Sequence, residues 1–272
     1  MFTISVNPVA FQIGTLEVRW YGIIVAIAVG AMILWMIRQI DKNKKSLPVA
    51  PDIAIAPVGV ISGVIGAKLV HVFERIDYYV QNPVDVFTRG GFGIYGAVIG
   101  ATLGIWIYLK VTRKTENLHF GFFTDLAAPG IILAQAIGRV GCTVNGCCHG
   151  KAAPDWFPWT LVYTHPNTAC ALELRGTPLY PTQPAEIVFA LVTFAVLLRL
   201  RNRLRPIEGS LFMVYLIMYS AWRLGLGFFR TAEVYFWSGV FSQAQIISLV
   251  VLGVSIFLLI CMRRKFNRPA SC

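Results

Sequence analysis

The chain has 272 residues, of which 56% are hydrophobic and only 14% are charged. About a quarter of the residues of a soluble domain are charged, so this composition excludes a water-soluble globular protein. The net charge of +11 falls in short clusters between apolar runs, which argues against a nucleic-acid partner. We therefore predict an all-α polytopic membrane protein.

Seven apolar runs approach the about 20 residues that a membrane-spanning helix needs. In chain order they are Trp20–Ile37, Ile53–Phe73, Gly91–Leu109, Phe120–Ile137, Pro184–Leu198, Leu211–Phe229 and Ile246–Met262. The sequence thus predicts one integral membrane domain over 1–272 with about seven transmembrane helices. Met1–Val18 lacks the basic and apolar regions of a secretory signal, so no removable signal peptide is expected.

The distribution of basic residues predicts the orientation of these spans. The segments after the first, third, fifth and seventh runs hold four, three, four and four Lys or Arg residues. Because cytoplasmic loops are enriched in these residues, we expect a cytoplasmic C-terminus and an N-terminus outside. The segment at about 151–182 then lies outside, where Trp156 and Trp159 favour the lipid headgroup region. It is predicted to form a small extracytoplasmic cap.

A polar stretch from Gly138 to Gly150 follows the fourth apolar run. Arg139 falls at or just inside the end of that span, where a cation needs an anionic partner such as a lipid phosphate. The alternative is a snorkelling arginine followed by a glycine-rich turn.

Charged residues in other spans bear on that choice. Lys68 and Arg223 are further cations placed toward the outer half of their spans, and Glu186, near the outer end of the fifth span, can pair with one cation. Since these cations outnumber nearby acids, we expect a phosphate-bearing ligand. Interhelical ion pairs are the structural alternative.

Three of the six cysteines, Cys142, Cys147 and Cys148, crowd into the same stretch. Cys170 lies in the predicted outer segment, where disulfides persist, and it can pair with Cys147 or Cys148. A reactive thiol beside a basic group is a second possibility. A metal site is not expected, because Cys-x4-Cys-Cys-His matches no common tetrahedral pattern.

Ordered motifs occur over most of the chain. They are Arg19-Trp20-Tyr21-Gly22; Gly66-Ala67-Lys68; Arg89-Gly90-Gly91 with Tyr95-Gly96 and Ile99-Gly100; the spaced set Asp125, Pro129, Gly138, Arg139, Gly141, Asn145, Gly146 and Gly150; Pro181-Thr182-Gln183 with Glu186; and Tyr219, Arg223 and Phe228-Phe229-Arg230. In order and spacing, this set resembles the prolipoprotein diacylglyceryl transferase family.

The resemblance implies a multi-pass transferase of the bacterial cytoplasmic (inner) membrane, with its active site toward the extracytoplasmic side. Such an enzyme moves the diacylglyceryl group of phosphatidylglycerol to the thiol of a lipobox cysteine, forming a thioether and releasing glycerol phosphate. Its implied partners are phosphatidylglycerol or another phospholipid, the prolipoprotein signal peptide and membrane lipids. No cofactor is implied.

Site residues are also implied by the resemblance. The catalytic positions would be Arg139, Arg223 and Tyr95, with the two arginines gripping the lipid phosphate. The substrate-binding positions would be Tyr21, Lys68, Gly96, Asn145, Gly150, Glu186, Tyr219 and Arg230.

Several positions depart from the family pattern. Tyr95 and Tyr180 stand where the family has histidines. Cys142 stands in place of an asparagine, and Cys147 stands in place of an acidic residue. Gly227 replaces a glutamate, and Lys68 replaces an arginine. Three hypotheses therefore stay open. The protein performs the family reaction with a variant site, transfers a lipid or headgroup to a different acceptor, or binds or transports phospholipid without catalysis.

Overall fold

The structure, a computed structural model, describes residues 1–14, 16–43, 54–74, 76–83, 94–112, 120–230, 235–236 and 241–267. Its helices are α1 (Trp20–Asn43), α2 (Ile55–Glu74), α3 (Ile76–Gln81), α4 (Ile94–Val111), α5 (Phe120–Asn145), α6 (Thr182–Leu204), α7 (Ser210–Leu226) and α8 (Gln243–Asn267). Its strands are β1 (Phe2–Ile4), β2 (Val9–Ile13), β3 (Leu16–Arg19), β4 (Leu161–Tyr163), β5 (Tyr235–Phe236) and β6 (Phe241–Ser242). The mostly helical prediction is confirmed, and the short strands correct its all-α form.

In the described part of the chain, four helices, α1, α5, α6 and α8, are long and apolar enough to cross a membrane by length and composition. The helices α2, α4 and α7 contain shorter apolar stretches. Every predicted span therefore overlaps one described helix, which agrees with a membrane protein. The first residues of the second and third predicted spans, Ile53 and 91–93, lie outside the described residues. The count of seven and the orientation stay predictions.

The chain divides into two compact units, 1–32 with 120–272 and 33–119. In the second unit, α2 and α4 approach each other through glycines. A Cβ atom at Gly66 would meet the carbonyl oxygen of Gly96 and would lie 2.8 Å from the Cα of Gly100. Small residues allow this close backbone approach between membrane helices. The single domain predicted over 1–272 stays a prediction.

The core of the first unit lies between three helices, of which α6 runs antiparallel to α5 and α7. Its buried side chains are Ala128, Ile132 and Ala136 of α5, Ala190, Leu197 and Leu204 of α6, and Leu211 and Tyr215 of α7. At one end of these helices, the carboxylate of Asp125 accepts hydrogen bonds from the backbone N–H groups of Gly209 and Phe212, both at 2.8 Å. These bonds cap the start of α7. The end of α5, the start of α6 and the end of α7 consequently meet at the opposite end.

The predicted cap forms a small substructure at that opposite end. Strand β1 pairs in parallel with β4, so that Phe2 lies opposite Leu161 and Ile4 opposite Tyr163. Leu161, Tyr163, Cys170 and Leu179 form its buried core. The hairpin of β2 and β3 then leads directly into α1. Pairing with the N-terminal strand is a long-range contact that local sequence patterns do not reveal.

Candidate active site

An ion pair lies where α5 and α6 meet. The Nε atom of Arg139 is 2.9 Å from Oε2 of Glu186, and the Glu186 side chain is only 2% exposed. Among the described residues, neither carboxylate oxygen of Glu186 has a hydrogen-bond donor in good alignment. The contact is therefore an ion pair, with one oxygen, Oε1, still available as an acceptor. Because α5 runs to Asn145 rather than ending at the predicted Ile137, Arg139 lies inside the helix.

Two further arginines act on the same carboxylate. Arg230 and Arg223 interact electrostatically with Glu186, as Arg139 does. Arg223 lies in the last turn of α7, and Arg230 follows that helix and forms a backbone bridge with Gly150. Three guanidinium groups beside one buried carboxylate leave an excess of positive charge. An anion with several oxygens, such as a phosphate, would neutralise it.

Two tyrosines border this charge cluster. Tyr219 interacts electrostatically with both Arg139 and Arg223. Tyr21, in the first turn of α1, packs beside α5, since a Cβ atom at Gly141 would lie 3.4 Å from its Cδ2 atom. The structure thus brings two predicted tyrosines to the cluster of arginines.

Asn145, the last residue of α5, is fixed by contacts to the cap and to Arg19. The Nη1 atom of Arg19 lies 3.4 Å from Oδ1 of Asn145 and 3.4 Å from the carbonyl oxygen of Asn167. The carbonyl oxygen of Asn145 accepts a hydrogen bond from the backbone N–H of Ala169 at 2.8 Å. Arg19 was not among the predicted site residues, although its position in the Arg19-Trp20-Tyr21-Gly22 motif was a signal for it.

The start of α6 holds the cysteine-bearing loop in place. The side-chain amide of Gln183 donates to the carbonyl oxygen of Cys147 at 3.0 Å and to the hydroxyl oxygen of Tyr163 at 3.1 Å. The hydroxyl of Thr182 donates to the carbonyl oxygen of Cys148 at 3.1 Å. Burial raises the pKa of Tyr163, so this hydroxyl stays protonated at neutral pH. Thr182 and Gln183 belong to the Pro181-Thr182-Gln183 motif, but no site role was predicted for them.

Gly150 lies where two backbone segments cross. A Cβ atom there would be 2.6 Å from the carbonyl oxygen of Tyr180 and 3.0 Å from that of Phe229. The neighbouring backbone N–H of Lys151 donates to the carbonyl oxygen of Phe229 at 2.8 Å. Only glycine fits this crossing, which places the segment bearing Arg230 against the end of the Gly138–Gly150 stretch.

The four cysteines predicted as thiols or disulfides are free thiols. The sulfur atoms of Cys142, Cys147 and Cys148 lie within 4.8 Å of one another. Cys170 instead packs in the cap core, so the possible bridge from Cys170 to Cys147 or Cys148 is not formed. Burial raises the pKa of the Cys170 thiol, which makes it a poor nucleophile.

The three clustered thiols are next to the arginines. The Nη1 atom of Arg139 lies 3.7 Å from the sulfur of Cys142. Hydrogen bonds from the thiols of Cys142 and Cys147, together with the charges of Arg230 and Arg139, lower the pKa of Cys148.

Three predicted site residues, Lys68, Tyr95 and Gly96, belong to the second unit. The ammonium nitrogen of Lys68 lies 5.5 Å from the centre of the Tyr79 ring, a cation–π contact. Gly96 packs against Gly66 of α2. The side chain of Tyr95 and the segment Arg89-Gly90-Gly91 lie outside the described residues.

Comparison with known proteins identifies the family. The family model described as prolipoprotein diacylglyceryl transferase matches residues 8–261. Curated relatives carry the name phosphatidylglycerol–prolipoprotein diacylglyceryl transferase. One from Dehalococcoides mccartyi is 40% identical over 265 residues, which cover 97% of each chain. Another, from Symbiobacterium thermophilum, is 34% identical over 97% of this chain and 95% of the relative's chain. A third, from Listeria monocytogenes, is 33% identical over 97% of this chain and 92% of the relative's chain. With matches of this extent, the chain belongs to the prolipoprotein diacylglyceryl transferase family.

Proposed function

We propose that the protein transfers the diacylglyceryl group of phosphatidylglycerol to the cysteine thiol of a prolipoprotein lipobox. The observation that carries the proposal is the group of Arg139, Arg223 and Arg230 around the buried carboxylate of Glu186. Membership of the family and the names of the relatives support the same reaction. The variant positions Cys142 and Cys147 are not required as nucleophiles, because the acceptor thiol belongs to the substrate.

The reaction replaces a carbon–oxygen bond by a carbon–sulfur bond. The lipobox sulfur attacks the carbon of the diacylglyceryl group that bears the phosphate, and the bond from that carbon to the phosphate oxygen breaks. Glycerol phosphate leaves as a monoester with one added negative charge, and the proton of the thiol passes to this departing phosphate or to water. Arg139 and Arg223 stabilise that charge more strongly in the transition state than in the bound substrate, which accelerates the chemical step. We propose that the second carboxylate oxygen of Glu186, Oε1, accepts a hydrogen bond from a hydroxyl group of the leaving glycerol.

We further propose that this site faces the extracytoplasmic side, in a chain with seven spans and an outer N-terminus. The arginines lie at the end of the helices opposite to Asp125. Arg201 and Arg203, which follow the fifth span, lie in the last turn of α6. Arg264 and Lys265, which follow the seventh span, lie in the last turn of α8. The last turn of α6 leads into the Asp125 end, since Gly209 binds Asp125. Because clusters of Lys and Arg stay in the cytoplasm, the Asp125 end is cytoplasmic and the arginine site is on the other side.

A direct test is mass spectrometry of a lipobox peptide incubated with the purified protein and phosphatidylglycerol. We expect a diacylglyceryl mass increase on the peptide cysteine and release of glycerol phosphate in equal amount. Arg223→Ala should reduce the rate by about 100-fold or more, as the loss of a group that stabilises transition-state charge does. Arg203→Ala is the matched control, because Arg203 is an exposed arginine at the far end of α6.

Each other result has a definite meaning. A wild-type rate for Arg223→Ala would refute the phosphate-gripping role. Failure to modify any lipobox peptide, with a lipid adduct on another acceptor, would favour the diverged-acceptor hypothesis. Binding of phospholipid without any turnover would favour the non-catalytic one.

A further inference from the structure

The chain directs three thiols to one point at the end of α5. Cys142 lies in the last turn of the helix and is 7% exposed, whereas Cys147 and Cys148 follow the helix. The backbone turns back through Gly146, with φ of +76°, and through Cys148, with φ of +62°. A positive φ at a residue other than glycine costs free energy and persists only where the surroundings impose it. The turn brings all three sulfur atoms within 4.8 Å of one another.

This spacing fits a shared metal ion better than a disulfide. Zinc–thiolate bonds of about 2.3 Å hold the sulfur atoms of one ion roughly 3.8–4.0 Å apart. Three sulfurs within 4.8 Å can therefore reach one ion by small side-chain rotations. A disulfide needs a sulfur–sulfur distance of about 2.0 Å, and it would join two thiols and leave the third unused.

The backbone around the thiols is held before any ion binds. Gln183 and Thr182 fix the carbonyl groups of Cys147 and Cys148. The guanidinium of Arg139 donates to the sulfur of Cys142 at 3.7 Å, a contact of the kind that orients and tunes a ligand from outside the coordination shell. Three thiolates and a divalent ion would carry one net negative charge, which the neighbouring arginines offset.

We propose that Cys142, Cys147 and Cys148 form a three-thiolate site for a thiophilic d10 cation, Zn²⁺ or Cu⁺. Thiolate sulfur selects these ions over harder cations such as Mg²⁺. Three protein ligands leave one position of a tetrahedral zinc ion open, whereas they complete a trigonal copper(I) site. A metal site was not expected from the sequence, because the cysteines lack a repeated Cys-x2-Cys spacing. Here the turn through Gly146 and Cys148, rather than such a spacing, brings the three ligands together.

The test is metal binding by the full-length protein in detergent, in the absence of any lipid substrate. The protein is reduced with a phosphine, stripped with a chelator, equilibrated with Zn²⁺ alone or with Cu⁺ alone, and separated from free metal before the metal is counted by mass spectrometry. We expect one equivalent per chain. Serine substitution of each clustered cysteine removes a direct ligand and should weaken binding by at least as much as loss of an outer-shell partner does, about 10–100-fold. Cys261→Ser is the matched control, because Cys261 is exposed on α8, and it should bind like wild type.

X-ray absorption of the zinc-loaded wild-type protein gives a readout that does not depend on how the variants fold. Sulfur ligands at about 2.3 Å would support the site. A shell of oxygen and nitrogen alone would overturn it, as would substoichiometric retention of both ions or retention unchanged by the serine substitutions. A disulfide between two of the three cysteines, mapped in protein purified without reductant, together with no binding after reduction, would also overturn it. Stoichiometry is measured without turnover, so this outcome is independent of the proposed transferase activity.

Discussion

Arg139 has two expected roles, one in stability through its ion pair with Glu186 and one in binding the substrate phosphate. Substitutions at Arg139 and Glu186 distinguish these two roles. Arg139→Ala leaves the carboxylate of Glu186, which is 2% exposed, without its ion-pair partner at 2.9 Å. Breaking a buried ion pair from one side costs about 3–5 kcal/mol. Because Arg223 and Arg230 also act on this carboxylate, we expect the lower end, about 3 kcal/mol.

A second substitution removes the stranded charge. In Arg139→Ala/Glu186→Gln, the amide carries no charge to be left unpaired, so we expect at least half of the lost free energy of unfolding to return. Turnover should not return, because the phosphate has still lost its arginine, and both variants should remain about 100-fold or more below wild type. Glu186→Gln alone completes the cycle and shows how far the amide itself affects each quantity.

The assay combines two measurements on the same preparations. Reversible unfolding in mixed micelles of mild detergent and dodecyl sulfate gives the free energy of unfolding, and lipobox peptide modification gives the rate. Equal instability of Arg139→Ala and the double variant would refute the stranded-charge argument. Recovery of wild-type turnover in the double variant would refute the role of Arg139 in phosphate binding.

Three further predictions concern residues that shape the site. Gly150→Ala forces a methyl group within 2.6 Å of the carbonyl oxygen of Tyr180, so thermal unfolding should show that the free energy of unfolding falls by about 1–3 kcal/mol. Gly138→Ala is the control, because a Cβ atom at Gly138 would have nothing within 4 Å. Equal effects of the two substitutions would contradict the crowding argument. Asp125→Ala removes both capping bonds to α7 and should reduce the free energy of unfolding by about 1–2 kcal/mol. The transfer rate per folded molecule should stay unchanged. A large loss of rate would show that Asp125 does more than cap the helix. Gln183→Leu keeps the approximate side-chain volume but leaves the carbonyl of Cys147 without its donor, so we expect the free energy of unfolding to fall by about 1–3 kcal/mol. An unchanged unfolding curve would mean that this hydrogen bond does not hold the loop.

The structure adds a packing role to two residues that the resemblance implied for substrate binding. Gly96 and Gly150 each lie at a close backbone approach where a side chain has no room, and their contact with substrate stays a prediction. Conversely, Arg19, Thr182 and Gln183 were left out of the predicted site, although their hydrogen bonds position Asn145 and the cysteine loop. Motif spacing identifies important positions, but it does not distinguish a ligand contact from a packing requirement.

The sequence by itself determined the membrane character, the approximate helices and the family. Apolar runs such as that within α8 reflect the cost of exposing polar groups to lipid, a property that each segment carries alone. The tertiary structure decided which charges meet. Arg139, Glu186 and Arg223 are far apart in the chain, and only the packing of α6 antiparallel to α5 and α7 brings them to one end. The three thiols likewise depend on a left-handed turn at Gly146 and Cys148, which is imposed by contacts from α6 and the cap and is therefore not contained in the local sequence.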